Sequence, residues 1–104
     1  MSDTATTFGT TTDAAAYVPY ADAERVLTEG LRREPGVGDL QYSLGLLLAE
    51  ENRLPEAAKA LAQAARLLPE RAKVHYNLGL ALQQLGQRKP AEAALLQAQR
   101  LDPL

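Results

Sequence analysis

The sequence predicts an all-α protein, an α-solenoid in which antiparallel helix pairs stack into a superhelix. Three observations predict it. From Tyr20 onward the chain resembles itself at a fixed spacing of 34 residues. Each 34-residue copy divides into two helix-length stretches whose apolar residues recur at helical spacing. Leu and Ala, both strong helix formers, dominate, while only 5% of residues are aromatic, so the core is aliphatic.

The repeat is visible without gaps. When Val37–Glu70 is laid over Arg71–Leu104, the identical pairs are Tyr42/Tyr76, Leu44/Leu78, Gly45/Gly79, Leu46/Leu80, Leu48/Leu82, Ala57/Ala91, Ala60/Ala94, Leu61/Leu95, Gln63/Gln97, Ala64/Ala98, Arg66/Arg100, Leu67/Leu101 and Pro69/Pro103. A fixed period of this length marks a solenoid, whose units bury their apolar faces only by stacking. One period earlier only Ala23, Leu27, Arg32 and Pro35 match, and Thr10-Thr11 stand where Leu44-Gly45 would be. The array is therefore half a repeat over 20–36 and whole repeats over 37–70 and 71–104.

Residues 1–19 read as a flexible Thr-rich tail or linker. Thr competes for backbone hydrogen bonds and is a modest helix former. The segment shows no sustained period, and Asp13–Tyr17 offers at most one helical turn before Pro19. The half repeat supplies one helix, about Ala21–Glu34, ended by Pro35-Gly36. The first whole repeat opens with a helix over Gly38–Glu51, with Gln41, Leu44, Gly45 and Leu48 on one face. Asn52 tolerates left-handed geometry and stops it. Leu54-Pro55-Glu56 opens the second helix, since proline suits a first turn and Glu the positive helix end. That helix runs to about Leu68 and stops at Pro69. The last repeat follows suit, with Arg71–Leu85, a stop at Gly86, Pro90 near the next start and Pro103 at the end.

Glycine inside a helix costs about 1 kcal/mol against alanine. Its recurrence at Gly45 and Gly79, each 12 residues before Ala57 and Ala91, indicates close helix packing that offsets this cost. Leu44, Leu48 and Leu61 fill the hairpin interior. Ala64 and Ala98 keep the second helices slim where the next repeat docks, and Gly30 holds that place in the half repeat.

These motifs resemble the tetratricopeptide repeat family. Leu44-Gly45, Ala57 and Pro69 match its 34-residue pattern, as do Leu78-Gly79, Ala91 and Pro103. Gln41 and His75 replace the family's Trp, Leu48 and Leu82 its Tyr, Leu61 and Leu95 its Phe. The resemblance covers residues 20–104. It implies a non-catalytic protein–protein interaction module, with the first helices of successive repeats lining a concave groove for a peptide or protein segment.

The family's geometry turns a second stripe, Tyr42, Leu46 and Ala49, repeated as Tyr76, Leu80 and Gln83, toward that groove. Asp39, Glu50, Lys73 and Gln84 flank it. Two roles suit the tyrosines: packing between neighbouring first helices, or anchoring a ligand, a use for which amphipathic aromatics are enriched. Some family members clamp acidic chaperone tails with Lys and Asn; Tyr42 and Leu46 stand where such a clamp needs them, and Asn77 alone is compatible.

Other functions find little support. The chain has no cysteine, which excludes disulfides and thiolate chemistry. His75 is the one histidine, has no partner nucleophile or ligand in the pattern, and reads as a packing residue. No metal or cofactor is expected. Asp3 and Asp13 account for the net charge of -2, leaving 11 acidic and 11 basic side chains from Tyr20 on, a mixed surface without a footprint for nucleic acid or anionic membrane. No segment is apolar enough to span a bilayer, and the N-terminus lacks the basic start and apolar core of a secretory signal. The default compartment is the cytoplasm, and the Ala and Leu content points to a GC-rich bacterial genome.

The last helix carries Ala94, Ala98 and Leu101 along one stripe, with Leu104 beyond. The matching stripe Ala60, Ala64 and Leu67 is expected to be covered by the following helix. The last one then forms a self-association edge, with a homodimer as its simplest closure. The alternative to an interaction module is a ligand-free structural spacer or regulatory segment of a larger protein or assembly.

Overall fold

The computed structural model describes residues 21–103. The Thr-rich segment, its Asp13–Tyr17 turn and Leu104 lie outside the described residues. Among the described residues there are five helices and no strand: α1 over residues 21–33, α2 over Gly38–Glu50, α3 over Leu54–Leu67, α4 over Ala72–Gln84 and α5 over Arg88–Leu101. The fold is an all-helical solenoid. α2 packs on α3 and α4 on α5 as hairpins, α3 packs on α4 to join them, and α2 touches α4 lightly.

The helix stops follow their residues. Asn52 has φ 61° and Gly86 φ 79°. At both places the chain closes a left-handed cap: Arg53 N–H donates to Leu48 O and Gln87 N–H to Leu82 O, both at 2.9 Å, satisfying carbonyls that the helix leaves open. Pro55 is the second residue of α3, where no intrahelical donor is lost. α5 begins two residues before Pro90, so that proline also falls in a first turn. The helices end within a residue or two of the expected places.

The hairpin interior is where glycine is required. A Cβ built on Gly45 would lie 2.6 Å from Leu61 Cγ, and one on Gly79 would lie 2.6 Å from Leu95 Cδ2 and 3.3 Å from Ala91 O. The second helix of each pair lies over the glycine of the first. Leu48, Ala57 and Ala60 form one buried cluster with Leu44 and Ala49 against it. Ala58, Leu61 and Ala81 form another, crossing from α3 to α4, with Tyr42, Leu78, Leu82 and Leu85 packed on it.

α1 meets α2 through Gly30, whose Cβ position is 3.1 Å from Leu40 Cδ1. One period on, the same pair is Ala64 and Val74, both fully buried. Small residues thus sit where each second helix receives the following first helix.

Arg53 braces the start of the array. Its guanidinium donates to Glu24 of α1 at 2.8 Å, to Glu51 at 3.0 Å, and bidentately to Glu56 at 2.8 and 3.1 Å. Hydrogen bonds from the three carboxylates, that of Glu56 first, raise the Arg53 pKa, and the Arg53 bond holds the Glu56 carboxyl below its ordinary 4.5. A carboxylate with a lowered folded pKa stabilises the fold above its unfolded pKa, and this is lost as pH falls through the folded value. Arg53→Gln is therefore expected to lower Tm at pH 7 and to matter progressively less below about pH 4.5 in thermal melts. A Tm difference independent of pH would show that Arg53 acts by packing alone.

Candidate functional site

The first helices of the two whole repeats, α2 and α4, present the residues expected to line a groove. They do not line one continuous hollow. Leu46, Ala49 and Glu50 line an open hollow of ≈ 590 Å³ together with Ser43 and Leu47 of α2, Ala23 and Leu27 of α1 and Asn77 of α4. Its floor is aliphatic and its border polar. Lys73 and Tyr76 line a different hollow of ≈ 510 Å³ with Ala72, Leu95, Ala98, Gln99 and Asp102. Gln83 lines a third, at the Gly86 turn, with Arg88, Ala91, Glu92 and Leu95. Leu80 is half-buried and Gln84 exposed.

The two tyrosines have different surroundings. Tyr42 is half-buried on the cluster that joins α3 to α4, and its hydroxyl accepts a hydrogen bond from Asn77 Nδ2 at 3.1 Å. Asn77 also donates to Lys73 O at 2.9 Å, which fixes the amide. Tyr76 is 51% exposed. Asp39 and Arg71 form an ion pair that joins α2 to the start of α4. Tyr42 and Asp39 are thus engaged in holding α4 on α2, whereas the ring of Tyr76 is open to solvent. Asn77, expected only as clamp-compatible, bonds one first helix to the next through the Tyr42 hydroxyl.

His75 is half-buried, with Nε2 2.9 Å from Pro69 O. Because a carbonyl only accepts, that nitrogen carries the proton, and the ring ties α4 to the turn before it. No group of three or more metal-ligating side chains occurs among the described residues. No helix there is long and apolar enough to cross a membrane.

The described residues of the expected self-association stripe differ in their surroundings, and Leu104 lies outside the described residues. Ala94 is 8% exposed and its counterpart Ala60 6%. Since Ala60 belongs to the cluster inside the first hairpin, this place is covered within each repeat and needs no neighbour. Leu67, expected beneath α4, is 39% exposed, and Leu101 is half-buried. Ala98 alone of the described stripe lines the hollow beside α5. The face of α3 toward α4 includes Ala58 and Leu61, so the corresponding face of α5 starts from Glu92 and Leu95, a fraction of a turn from the expected line.

Residues 45–86 match a family described as TPR repeat, and residues 72–103 match one described as Tetratricopeptide repeat. No curated protein sequence matches the chain. Among solved structures, one titled "MamA MSR-1 C2" superposes with a TM-score of 0.73 and 26% sequence identity, over 81% of this chain and 48% of that one. The chain spans about half the length of that structure.

Proposed function

Because the chain belongs to the tetratricopeptide repeat family, we infer that it works as a protein–protein interaction module whose inner face takes a segment of another polypeptide. Repeats of this family are in general non-catalytic interaction modules, and the coarser part of the reading rests on that membership. The finer part rests on one observation. Leu46, Leu47 and Ala49 of α2 and Ala23 and Leu27 of α1 form an open aliphatic floor bordered by Ser43, Glu50 and Asn77. An apolar floor with hydrogen-bonding edges suits a partner segment that buries a few aliphatic side chains and satisfies its backbone at the rim. Tyr76, exposed on the next first helix in a separate hollow, offers a second anchor with a ring of low rotamer entropy.

Capture from an extract of the source cell, with the partner then identified, tests this. Leu46→Gln and Tyr76→Ala should each weaken capture of that partner about tenfold, the effect of losing roughly 1.4 kcal/mol at an interface, with helicity by circular dichroism unchanged. Undiminished capture by both folded variants would place the binding surface elsewhere. Recovery of nothing specific by the wild type would favour the spacer role.

A further inference from the structure

The second helices of the two whole repeats share one outward line. Pro55, Lys59, Ala62 and Arg66 of α3 recur at helical spacing, and one period later Lys89, Ala93, Leu96 and Arg100 of α5 hold the same positions. All of these residues are exposed, Leu96 by 51%. The two helices are the same member of successive repeats, so residues one period apart face the same side of the solenoid, turned by the rotation of one repeat. The line is not open for want of a neighbouring helix. α3 is packed by both α2 and α4, and its half of the line is exposed all the same.

The balanced charge of the chain is unevenly spread. Lys59, Arg66, Lys89 and Arg100 bring their cations to this line, and none of them forms an ion pair among the described residues. The one acidic residue of each helix is engaged elsewhere: Glu56 is bonded to Arg53, and Glu92 lines the hollow at the Gly86 turn. On α1 the matching line is neutralised, because Arg25 is paired with Asp22 and Arg32 with Glu29. Folding does not account for all of these cations. Arg66 and Arg100 lie in last turns, where positive charge suits the helix dipole. Lys59 lies mid-helix, and Lys89 lies in the first turn of α5, where it opposes the dipole and no acidic residue offsets it.

We propose that the outer face of α3 and α5 is a docking surface for an acidic segment of another polypeptide. That segment sets carboxylates against Lys59, Arg66, Lys89 and Arg100, and aliphatic side chains against Ala62, Ala93 and Leu96. The apolar centre narrows the class that charge selects, since a nucleic acid would meet the cations but leave Leu96 against sugar and phosphate. A second copy of this chain does not meet the requirement: its longest acidic run is Glu50-Glu51, and Glu51 is held by Arg53. The aliphatic floor of the inner face belongs to α1 and α2, so the two surfaces are separate.

Fluorescence anisotropy of the full chain with a labelled peptide of repeating Asp-Leu-Glu tests this. The peptide should bind at low salt, and a peptide of repeating Asn-Leu-Gln at least about tenfold more weakly, the effect of removing several exposed ion pairs. Arg66→Glu with Arg100→Glu should weaken binding by about tenfold, and Leu96→Gln, which keeps every charge, by about threefold. Lys59→Gln with Lys89→Gln should weaken it without lowering Tm, because the start of α5 is relieved of a repulsive charge. Lys73→Glu, a cation off the line, should change affinity by less than about twofold. Equal affinity for the acidic and amide peptides, or a loss with Lys73→Glu as large as with the arginine pair, would overturn the proposal. So would tighter binding of single-stranded DNA or of phosphatidylserine vesicles than of the acidic peptide through the same residues. Leu46→Gln and Tyr76→Ala, which read capture at the inner face, leave this line intact, so the two readings fail separately.

Discussion

Leu61→Ala is expected to lower the unfolding free energy by about 2–5 kcal/mol. Leu61 is fully buried and serves two interfaces at once. Within its hairpin it lies over Gly45, its Cγ 2.6 Å from where a Cβ on that glycine would be. Between repeats it forms a cluster with Ala58 and Ala81, on which Tyr42, Leu78, Leu82 and Leu85 pack. Truncation to Ala removes the apolar contact and leaves a cavity. The alanines and the Gly45 backbone on its wall cannot fill the space and the packed Leu and Tyr side chains do so only in part, so a cavity term is added to the transfer term. A domain of this size is stable by only about 5–15 kcal/mol, so this one change consumes a large part. Leu95 holds the same repeat position beside the open hollow lined by Lys73 and Tyr76 and is half-buried. Leu95→Ala should cost about half as much, since solvent already reaches it. Urea unfolding of both variants measures the difference. A loss below about 1 kcal/mol for Leu61→Ala would show that the two hairpins are not coupled through this side chain.

The repeat made most of the fold legible. The 34-residue identity set the number of hairpins, and Asn52 and Gly86 marked the turns because only residues tolerant of positive φ suit a left-handed cap. Gly45 and Gly79 announced the close helix contact because nothing else explains a glycine in mid-helix. The surface was legible only in part. The side of α5 toward a following helix and the side inside its hairpin are separated by less than a quarter turn. The stripe of alanines and a leucine read from the sequence runs along the boundary of the two, with Ala98 but not Ala94 lining the hollow beside α5. The pattern also treated Tyr42 and Tyr76 as equivalents. They differ because Asn77 and α4 follow the first and no described helix follows the second. Glu51 and Glu56 are sequence neighbours of Arg53, but Glu24 comes to it from a separate helix, 29 residues away, and so gave no signal in the sequence. The docking of α1 beside the start of α3 adds Glu24 to that local cluster.

Gly45→Leu is expected to be the most damaging surface-invisible substitution of the pair Gly45 and Gly79, costing about 3 kcal/mol, the upper end of the usual range for overpacking. The physical question at each glycine is whether the neighbour in the way can move. At Gly45 the first new carbon would meet Leu61 Cγ at 2.6 Å and Cδ2 at 2.7 Å, with Leu61 N at 3.3 Å behind them. Leu61 is fully buried in a close-packed interior, so its displacement disturbs its neighbours. The larger side chain therefore forces the backbones of α2 and α3 apart, which also loosens the seat of α4 on Ala58 and Leu61. At Gly79 the same distances recur, 2.6 Å to Leu95 Cδ2 and 2.7 Å to Cγ with Ala91 O at 3.3 Å behind them, but Leu95 is half-buried beside an open hollow and is expected to give way more easily. Alanine at the two sites separates the effects further. Replacing glycine by alanine in a helix gains about 1 kcal/mol in propensity. At Gly79 that gain should nearly offset the contact, leaving Tm close to wild type, while Gly45→Ala should still be destabilising. Melting of the four variants side by side decides it. If Gly45→Ala and Gly79→Ala melt together, Leu61 and Leu95 are equally free to move, and the asymmetry between an enclosed repeat and one with an open side does not exist.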